Sequence, residues 1–264
     1  MAKIEHDKYY TPSDLAEYCV NKTKEILGEE NITQYLEPSA GDGAFLEYLP
    51  EDTLAYDLYP EDSRIVEMDY LKLSKGYKRG RCIIGNPPFG NRGSLMNKFL
   101  KKSLHLGDYI AFILPISQLN NSQTLYEFNL VYSEDLGDRE YSGIIVRCCF
   151  NIYSRPRNGV NTKRNYKLND VTVVEWRRGG KNIVPDHWDF AMCTWGRTCG
   201  KPLEYTGQYA QSHYIIINNE KLRDKILEVC YSTDWKNLYP SVSSIKLQTW
   251  KIYKHFKDMI PEIK

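Results

Sequence analysis

The sequence predicts an α/β fold in which the first 150 or so residues build a doubly wound, mostly parallel sheet. Short β-rich runs alternate there with helical patterns, the order that places helices on both faces of a parallel sheet. Several of those runs end in glycine, acidic or amide residues, at the strand ends where open α/β sheets bind ligands. After Tyr153 the texture changes. Ser154-Arg155-Pro156-Arg157-Asn158-Gly159 is rich in turn formers and cations and marks a boundary. Residues 1–155 are therefore expected to form one domain, and 156–264 a smaller second region.

The first element is a helix over 14–27. Ser13 is its expected N-cap, Leu15, Val20, Thr23, Ile26 and Leu27 form its buried side, and Gly28 is its stop. Strands follow at 34–37, 53–56, 81–85 and 109–114, with a helix over 95–106 before the last of them. The β-rich run 143–153 reads as a strand at the sheet edge. In the second region, 171–176 and 214–217 read as strands and 221–230 as a helix. A basic-aromatic segment covers 246–257.

Hydrophobic content of 42% and charged content of 26% are ordinary for a globular chain and exclude wholesale disorder. Met1-Ala2-Lys3-Ile4-Glu5-His6-Asp7 lacks the apolar stretch of a signal peptide, and no eighteen apolar residues run together. The seven cysteines are odd in number and lack paired metal-like spacings, so they read as reduced thiols of a cytoplasmic protein with no metal site. The net charge of +1 hides an asymmetry. Residues 1–150 carry 16 Lys and Arg against 23 Asp and Glu, and residues 151–264 carry 19 against 11. A basic second half suits a protein that faces a polyanion there.

Three motifs carry chemistry. Leu36-Glu37-Pro38-Ser39-Ala40-Gly41-Asp42-Gly43-Ala44-Phe45-Leu46 reads as strand, tight small-residue turn and helix start. Its glycines allow close approach of backbone to ligand. The three-glycine dinucleotide pattern is absent, and the acid between the glycines disfavours a pyrophosphate and favours a zwitterionic or cationic ligand. Ala55-Tyr56-Asp57-Leu58 then closes a strand about twenty positions on, where an acid can accept hydrogen bonds from both ribose hydroxyls of a nucleoside or simply cap the next turn. Asp69, in Met68-Asp69-Tyr70-Leu71, sits at a third strand end, where it could accept from an adenine amino group. The third motif, Ile83-Ile84-Gly85-Asn86-Pro87-Pro88-Phe89-Gly90, ends an apolar strand in an amide, two prolines and an aromatic. Pro-Pro is also a plain strand terminator. Read for function, the Asn86 side-chain oxygen and the Pro87 carbonyl accept both hydrogens of an aromatic amino group, and Phe89 offers a stacking face to its ring.

With these motifs in order, the sequence resembles the S-adenosylmethionine-dependent N6-adenine DNA methyltransferases over roughly residues 9–155. Tyr9-Tyr10-Thr11-Pro12 is similar to the family's N-terminal cofactor motif, Leu36 to Phe45 to its glycine loop, and Asn86 to Phe89 to its catalytic tetrapeptide. Phe99 lies in a segment similar to the one that closes over the cofactor's adenine. Leu114-Pro115-Ile116-Ser117 and the run from Cys148 to Arg155 resemble two later strand motifs. The motif order resembles the gamma subclass.

The resemblance implies a seven-stranded Rossmann-like methyltransferase sheet, followed by a small α+β DNA-recognition region. It implies S-adenosylmethionine held by Tyr10, Thr11, Pro12, Glu37, Ser39, Gly41, Asp42, Gly43, Asp57, Leu58, Asp69, Tyr70, Asn86 and Phe99. Catalysis falls to Asn86, Pro87 and Phe89 on an adenine flipped out of double-stranded DNA, with room for a cognate restriction endonuclease as partner. Phosphate contacts are expected from Arg155, Arg157, Lys163, Arg164, Arg177, Arg178, Lys246 and Lys251. Adenine in structured RNA and protein glutamine present a similar planar amino group, so the tetrapeptide alone leaves those substrates open, as it does a non-catalytic DNA-binding scaffold. Tyr10-Thr11-Pro12 and the basic second half favour DNA.

Overall fold

The structure is a computed structural model that describes residues 10–141, 143–194, 198–203, 210–240 and 247–264. It divides into two compact units, Met1–Lys163 and Arg164–Lys264. The division falls eight residues beyond the expected one, because the stretch after Pro156 stays attached to the first unit. Asn161 N–H donates to the Glu127 carbonyl at 2.8 Å, and the Asn161 amide donates to Asn129 at 3.0 Å.

The first unit runs α1 (Ser13–Leu27), β1 (Gln34–Glu37), β2 (Leu54–Asp57), β3 (Val66–Glu67), β4 (Arg81–Gly85), α2 (Ser94–Ser103), β5 (Tyr109–Pro115), β6 (Asn129–Tyr141) and β7 (Ile144–Ser154). Its seven strands lie in the order β3-β2-β1-β4-β5-β7-β6. The first five are parallel to their neighbours, and β7 and β6 are antiparallel additions. This is a doubly wound, mostly parallel, Rossmann-like sheet.

Alternation along the central strands explains the double covering. Cys82 and Ile84 of β4, with Ala111 and Ile113 of β5, pack with Leu15, Ala16, Cys19 and Val20 of α1. Ile83, Ile110, Phe112 and Leu114 point the other way, into a cluster with Met96, Phe99 and Leu100 of α2. Strands buried on both faces read as continuous apolar runs, as 82–84 and 110–114 do. Each such side chain contributes about 1.5–3 kcal/mol relative to exposure.

Several local expectations are corrected. Pro12, not Ser13, occupies the N-cap of α1, and the Ser13 hydroxyl instead hydrogen-bonds the Tyr48 hydroxyl at 2.7 Å. Gly28 ends the helix as expected, at φ 76°. No helix follows the glycine loop. Residues 43–48 close in short turns (Leu46 N–H to Gly43 O, 2.8 Å; Tyr48 N–H to Phe45 O, 3.0 Å), because Pro50 stops the segment before a helix could propagate. Nor is the run 143–153 an edge strand. β6, whose Gly137 and scattered charges hide its strand character, pairs along its outer side and is itself the edge.

The second unit contains β8 (Val171–Arg177), β9 (Phe190–Cys193), β10 (Pro202–Leu203), β11 (Gln211–Ile217), α3 (Arg223–Ser232), α4 (Trp235–Leu238) and α5 (Thr249–Met259). The four strands form an antiparallel sheet ordered β10-β9-β11-β8. Its core joins Val171, Met192 and Ile215 to Ile226, Trp235, Ile252 and Phe256. All seven cysteines of the chain are buried. Among the described residues, no helix is long and apolar enough to cross a membrane.

Candidate active site

A pocket of about 290 Å³ opens among the carboxyl ends of β1, β2 and β4. The parallel sheet brings there the three motifs that lie apart in sequence, since each of these strands ends on the same edge. Fourteen of the sixteen expected site residues line it: Tyr10, Thr11, Glu37, Ser39, Gly41, Asp42, Asp57, Leu58, Asp69, Tyr70, Asn86, Pro87, Phe89 and Phe99. Pro12 and Gly43 do not. The Pro12 carbonyl is taken by the first turn of α1, accepting from Leu15 and Ala16 N–H at 3.0 Å. Gly43 turns away: a Cβ on it would meet the Asp62 carboxylate at 3.2 Å and Arg64 at 3.4 Å.

The glycine loop is fastened to the end of β2. Gly41 N–H donates to Asp57 Oδ2 at 2.9 Å, and Tyr59 N–H donates to Asp57 Oδ1 at 2.8 Å. Both carboxylate oxygens are thereby aimed, with lone pairs left for a ligand. Gly41 takes φ 55°, and the Tyr10 ring lies 3.9 Å from where a Cβ would stand. Asp69 accepts Leu71 N–H at 3.0 Å and caps the short turn after β3. That turn seats the buried Tyr70 ring 5.0 Å from Phe99, and the Tyr70 hydroxyl meets Ser103 Oγ at 2.7 Å. These two rings wall the pocket with apolar surface.

At the end of β4, Gly85 lies against β1, where a Cβ would stand 3.3 Å from Glu37 Cγ. Asn86 follows. Its amide nitrogen donates to Thr11 Oγ1 at 3.2 Å, and its backbone carbonyl accepts from Ser39 Oγ at 3.2 Å. The bond to Thr11 uses the donor end of the amide, so Oδ1 is the end presented as an acceptor. Phe89 is half-buried, and its carbonyl accepts from both Leu95 and Met96 N–H at 3.2 Å, tying the tetrapeptide to the start of α2.

The pocket's charge is one-sided. Glu37, Asp42, Asp57 and Asp69 line it, and among its described lining residues there is no Lys, Arg or His. Glu37 is only 1% exposed, and its Oε2 has no hydrogen-bond partner among the described residues. Burial, then the nearby charges of Asp57 and Asp42, hold its carboxyl well above the usual carboxylate range. Such a site suits a ligand with net positive charge. It is unsuited to a pyrophosphate.

No protein-family model matches the chain, and no curated protein does. Solved structures resemble it at low identity. One is a Pyrococcus horikoshii protein assigned as an RNA methyltransferase: 14% identity, covering 59% of this chain and 90% of that one, TM-score 0.46. Another is a Listeria monocytogenes protein assigned as a class I S-adenosylmethionine-dependent methyltransferase: 12% identity, 62% and 66% coverage, TM-score 0.44. A third is the type I restriction-modification methyltransferase subunit of Streptococcus thermophilus: 15% identity, TM-score 0.43. It matches 57% of this chain, which spans 45% of that subunit.

Lining residues that the motifs did not mark include Tyr59, Met68, Leu95, Tyr141 and Val146. Tyr59 follows the marked Leu58, and Met68 adjoins the marked Asp69. Tyr141 ends β6, where no strand was expected; Val146 lies in β7, whose run was expected as a strand but carried no motif that pointed to the pocket.

The expected phosphate contacts divide. Arg157, Lys163, Arg164, Arg177 and Arg178 are exposed. Arg155 is committed within the first unit: its guanidinium donates to the Leu104 and Gly107 carbonyls, pairs with Asp108 at 3.1 Å, and lies over the Phe128 ring at 4.7 Å. Lys251 is corrected outright. It is 5% exposed on the inner face of α5, with its ammonium 4.5 Å from the Tyr239 ring centroid, so it presents no charge to a phosphate. Burial lowers its pKa to about 8. Lys246 lies outside the described residues.

Proposed function

We propose that the chain is an S-adenosylmethionine-dependent methyltransferase acting on the exocyclic amino nitrogen of adenine in DNA. One observation carries the reading. Asn86, its acceptor oxygen presented by the bond to Thr11, opens Asn86-Pro87-Pro88-Phe89 on the wall of a pocket whose charged lining residues are all carboxylates.

The residues fit the cofactor. Asp57 offers acceptors to ribose hydroxyls, Asp69 an acceptor to the adenine amino group, and Tyr70 and Phe99 apolar faces to its ring. The carboxylates favour the net positive charge of its sulfonium, ammonium and carboxylate groups together. When bound, S-adenosylmethionine supplies an electrophilic sulfonium methyl. The protein's part is to position the amine. Asn86 Oδ1 and the Pro87 carbonyl accept its two hydrogens and draw the nitrogen away from planarity, which returns its lone pair from the ring. Phe89 stacks on the target base. Orientation of this kind supplies at most about 7–11 kcal/mol of the barrier. Extracting the base from a duplex costs a few kcal/mol, of which stacking on Phe89 returns roughly 1–3 kcal/mol.

Residues 164–264 carry 16 Lys and Arg against 11 Asp and Glu, with Arg164, Arg177 and Arg178 exposed. That surplus supports a polyanionic substrate held by the second unit. The test is to express the protein in a host lacking adenine methylases and sequence its DNA for modified adenines in context. Methylated adenines at a defined motif are expected. Label from S-adenosylmethionine entering ribosomal RNA or a glutamine-bearing protein, but not duplex DNA, would overturn the substrate.

A further inference from the structure

The four carboxylates of the pocket are not equivalent. Asp57 accepts two backbone N–H groups, Asp69 accepts one and has Lys72 at 3.6 Å, and Asp42 is exposed with Ala44 N–H at 3.4 Å. Glu37 is 1% exposed at the end of β1, on the pocket's lining, and its Oε2 receives no donor among the described residues. The charges facing it are both negative: Asp57 from β2 and Asp42 from the glycine loop. β4 faces it with Gly85, which has no side chain to offer. A carboxyl so placed, scarcely exposed and with two acids beside it, has little of the water, donors or cations that normally stabilise an anion. A cation entering the pocket would supply what is missing.

We propose that Glu37 reads the charge of the bound nucleoside: its carboxyl gives up its proton to solvent when a cationic sulfonium ligand binds, and keeps it when the ligand is the uncharged thioether. This rests on the cofactor reading above and extends it to product release. S-Adenosylmethionine carries one more positive charge than S-adenosylhomocysteine, which keeps only its ammonium, balanced by its own carboxylate; loss of the sulfonium charge weakens the attraction that holds Glu37 ionised. The carboxyl then takes a proton back from water, and the pocket favours exchange of the spent nucleoside for a fresh one.

Calorimetric titration of the full chain with each nucleoside near pH 7, in two buffers of different ionisation enthalpy, counts the protons released. Release of close to one proton with S-adenosylmethionine and close to none with S-adenosylhomocysteine is expected. Glu37→Gln copies the protonated carboxyl in shape. It should bind both ligands without proton release, with the preference for S-adenosylmethionine near pH 7 reduced about tenfold, as a ligand-induced shift of about two pKa units centred on that pH would give. Equal proton counts for the two ligands in the wild-type protein would overturn the proposal and leave the cofactor reading standing, as would release that persists in Glu37→Gln. Failure of the wild-type protein to bind either nucleoside would overturn both.

Discussion

The pocket of the first unit and the basic second unit carry opposite charge, and they differ in how that charge is specified. In the pocket Glu37 and Asp57 end strands, and Asp42 and Asp69 lie in the turns that follow strands, so the direction of each follows from its place in a short motif. In the second unit the positive charge is a matter of composition spread over a hundred residues, and Lys251 shows the consequence: a cation in a basic segment turns inward with its helix face. Motif position survives folding, whereas charge counted along a chain does not say which side chains meet solvent.

The largest expected effect separates the units. Trp235 is 1% exposed, its Nε1 donates to the Cys230 carbonyl at 3.2 Å, and its ring stands 4.8 Å from His255. Trp235→Ala should cost the second unit about 3–5 kcal/mol, read by denaturant unfolding. Affinity for S-adenosylmethionine should be unchanged and DNA affinity lost. A parallel loss of cofactor affinity would break the division of labour.

Asn86→Ala tests the pocket from inside. Removing an acceptor aimed at the reacting group should lower single-turnover methyl transfer by about 10²–10³-fold, the usual size for loss of one preorganised polar contact. Cofactor affinity by calorimetry should stay within about twofold of the wild-type value if the main role of Asn86 is toward the amine.

Paired substitution of Arg177 and Arg178 by Ala should weaken duplex binding by about tenfold at low salt. It should also lower the slope of log affinity against log salt by about 2, one for each phosphate contact removed. Lys251→Met should leave that slope untouched. An altered slope for Lys251→Met, or an unaltered one for the arginine pair, would reverse the assignment of surface and interior.

The smallest effects are in pH dependence, and they have opposite signs in the two regions. Burial raises the folded-state pKa of Glu37 above its ordinary 4.5. The folded protein thus holds a proton that the unfolded chain has released, and the contribution to stability, full below about pH 4.5, declines as pH rises toward the folded value. Lys251 is depressed from 10.5 to about 8. Its contribution is full above 10.5 and is lost as pH falls to about 8. Thermal melts across pH should show Glu37→Gln gaining on wild type as pH rises from 4.5, and Lys251→Met gaining on it as pH falls from 10.5 to 8.

Much of the first unit was legible because its signals are local. The strand 81–85 is β4 to the residue, and 34–37 is β1, since short apolar runs bounded by turn formers leave little choice of element. Asp57 and Asn86 were marked for the same reason: a strand end positions whatever follows it. The hairpin partner β6 was illegible, because its residues owe their strand geometry to pairing with β7 and not to their own propensity. Tyr141 was hidden with it.

By itself, then, the sequence determined the doubly wound class and the strand-end motifs, Asn86-Pro87-Pro88-Phe89 among them, all of which depend on near neighbours in the chain. Tertiary structure decided that four acids line one pocket with no Lys, Arg or His among its described lining residues, that Thr11 orients Asn86, that Glu37 Oε2 is buried with no donor among the described residues, and that Lys251 is interior. Each of these depends on which surfaces meet across the sheet or against a helix, and such meetings are set by long-range packing that no single segment encodes.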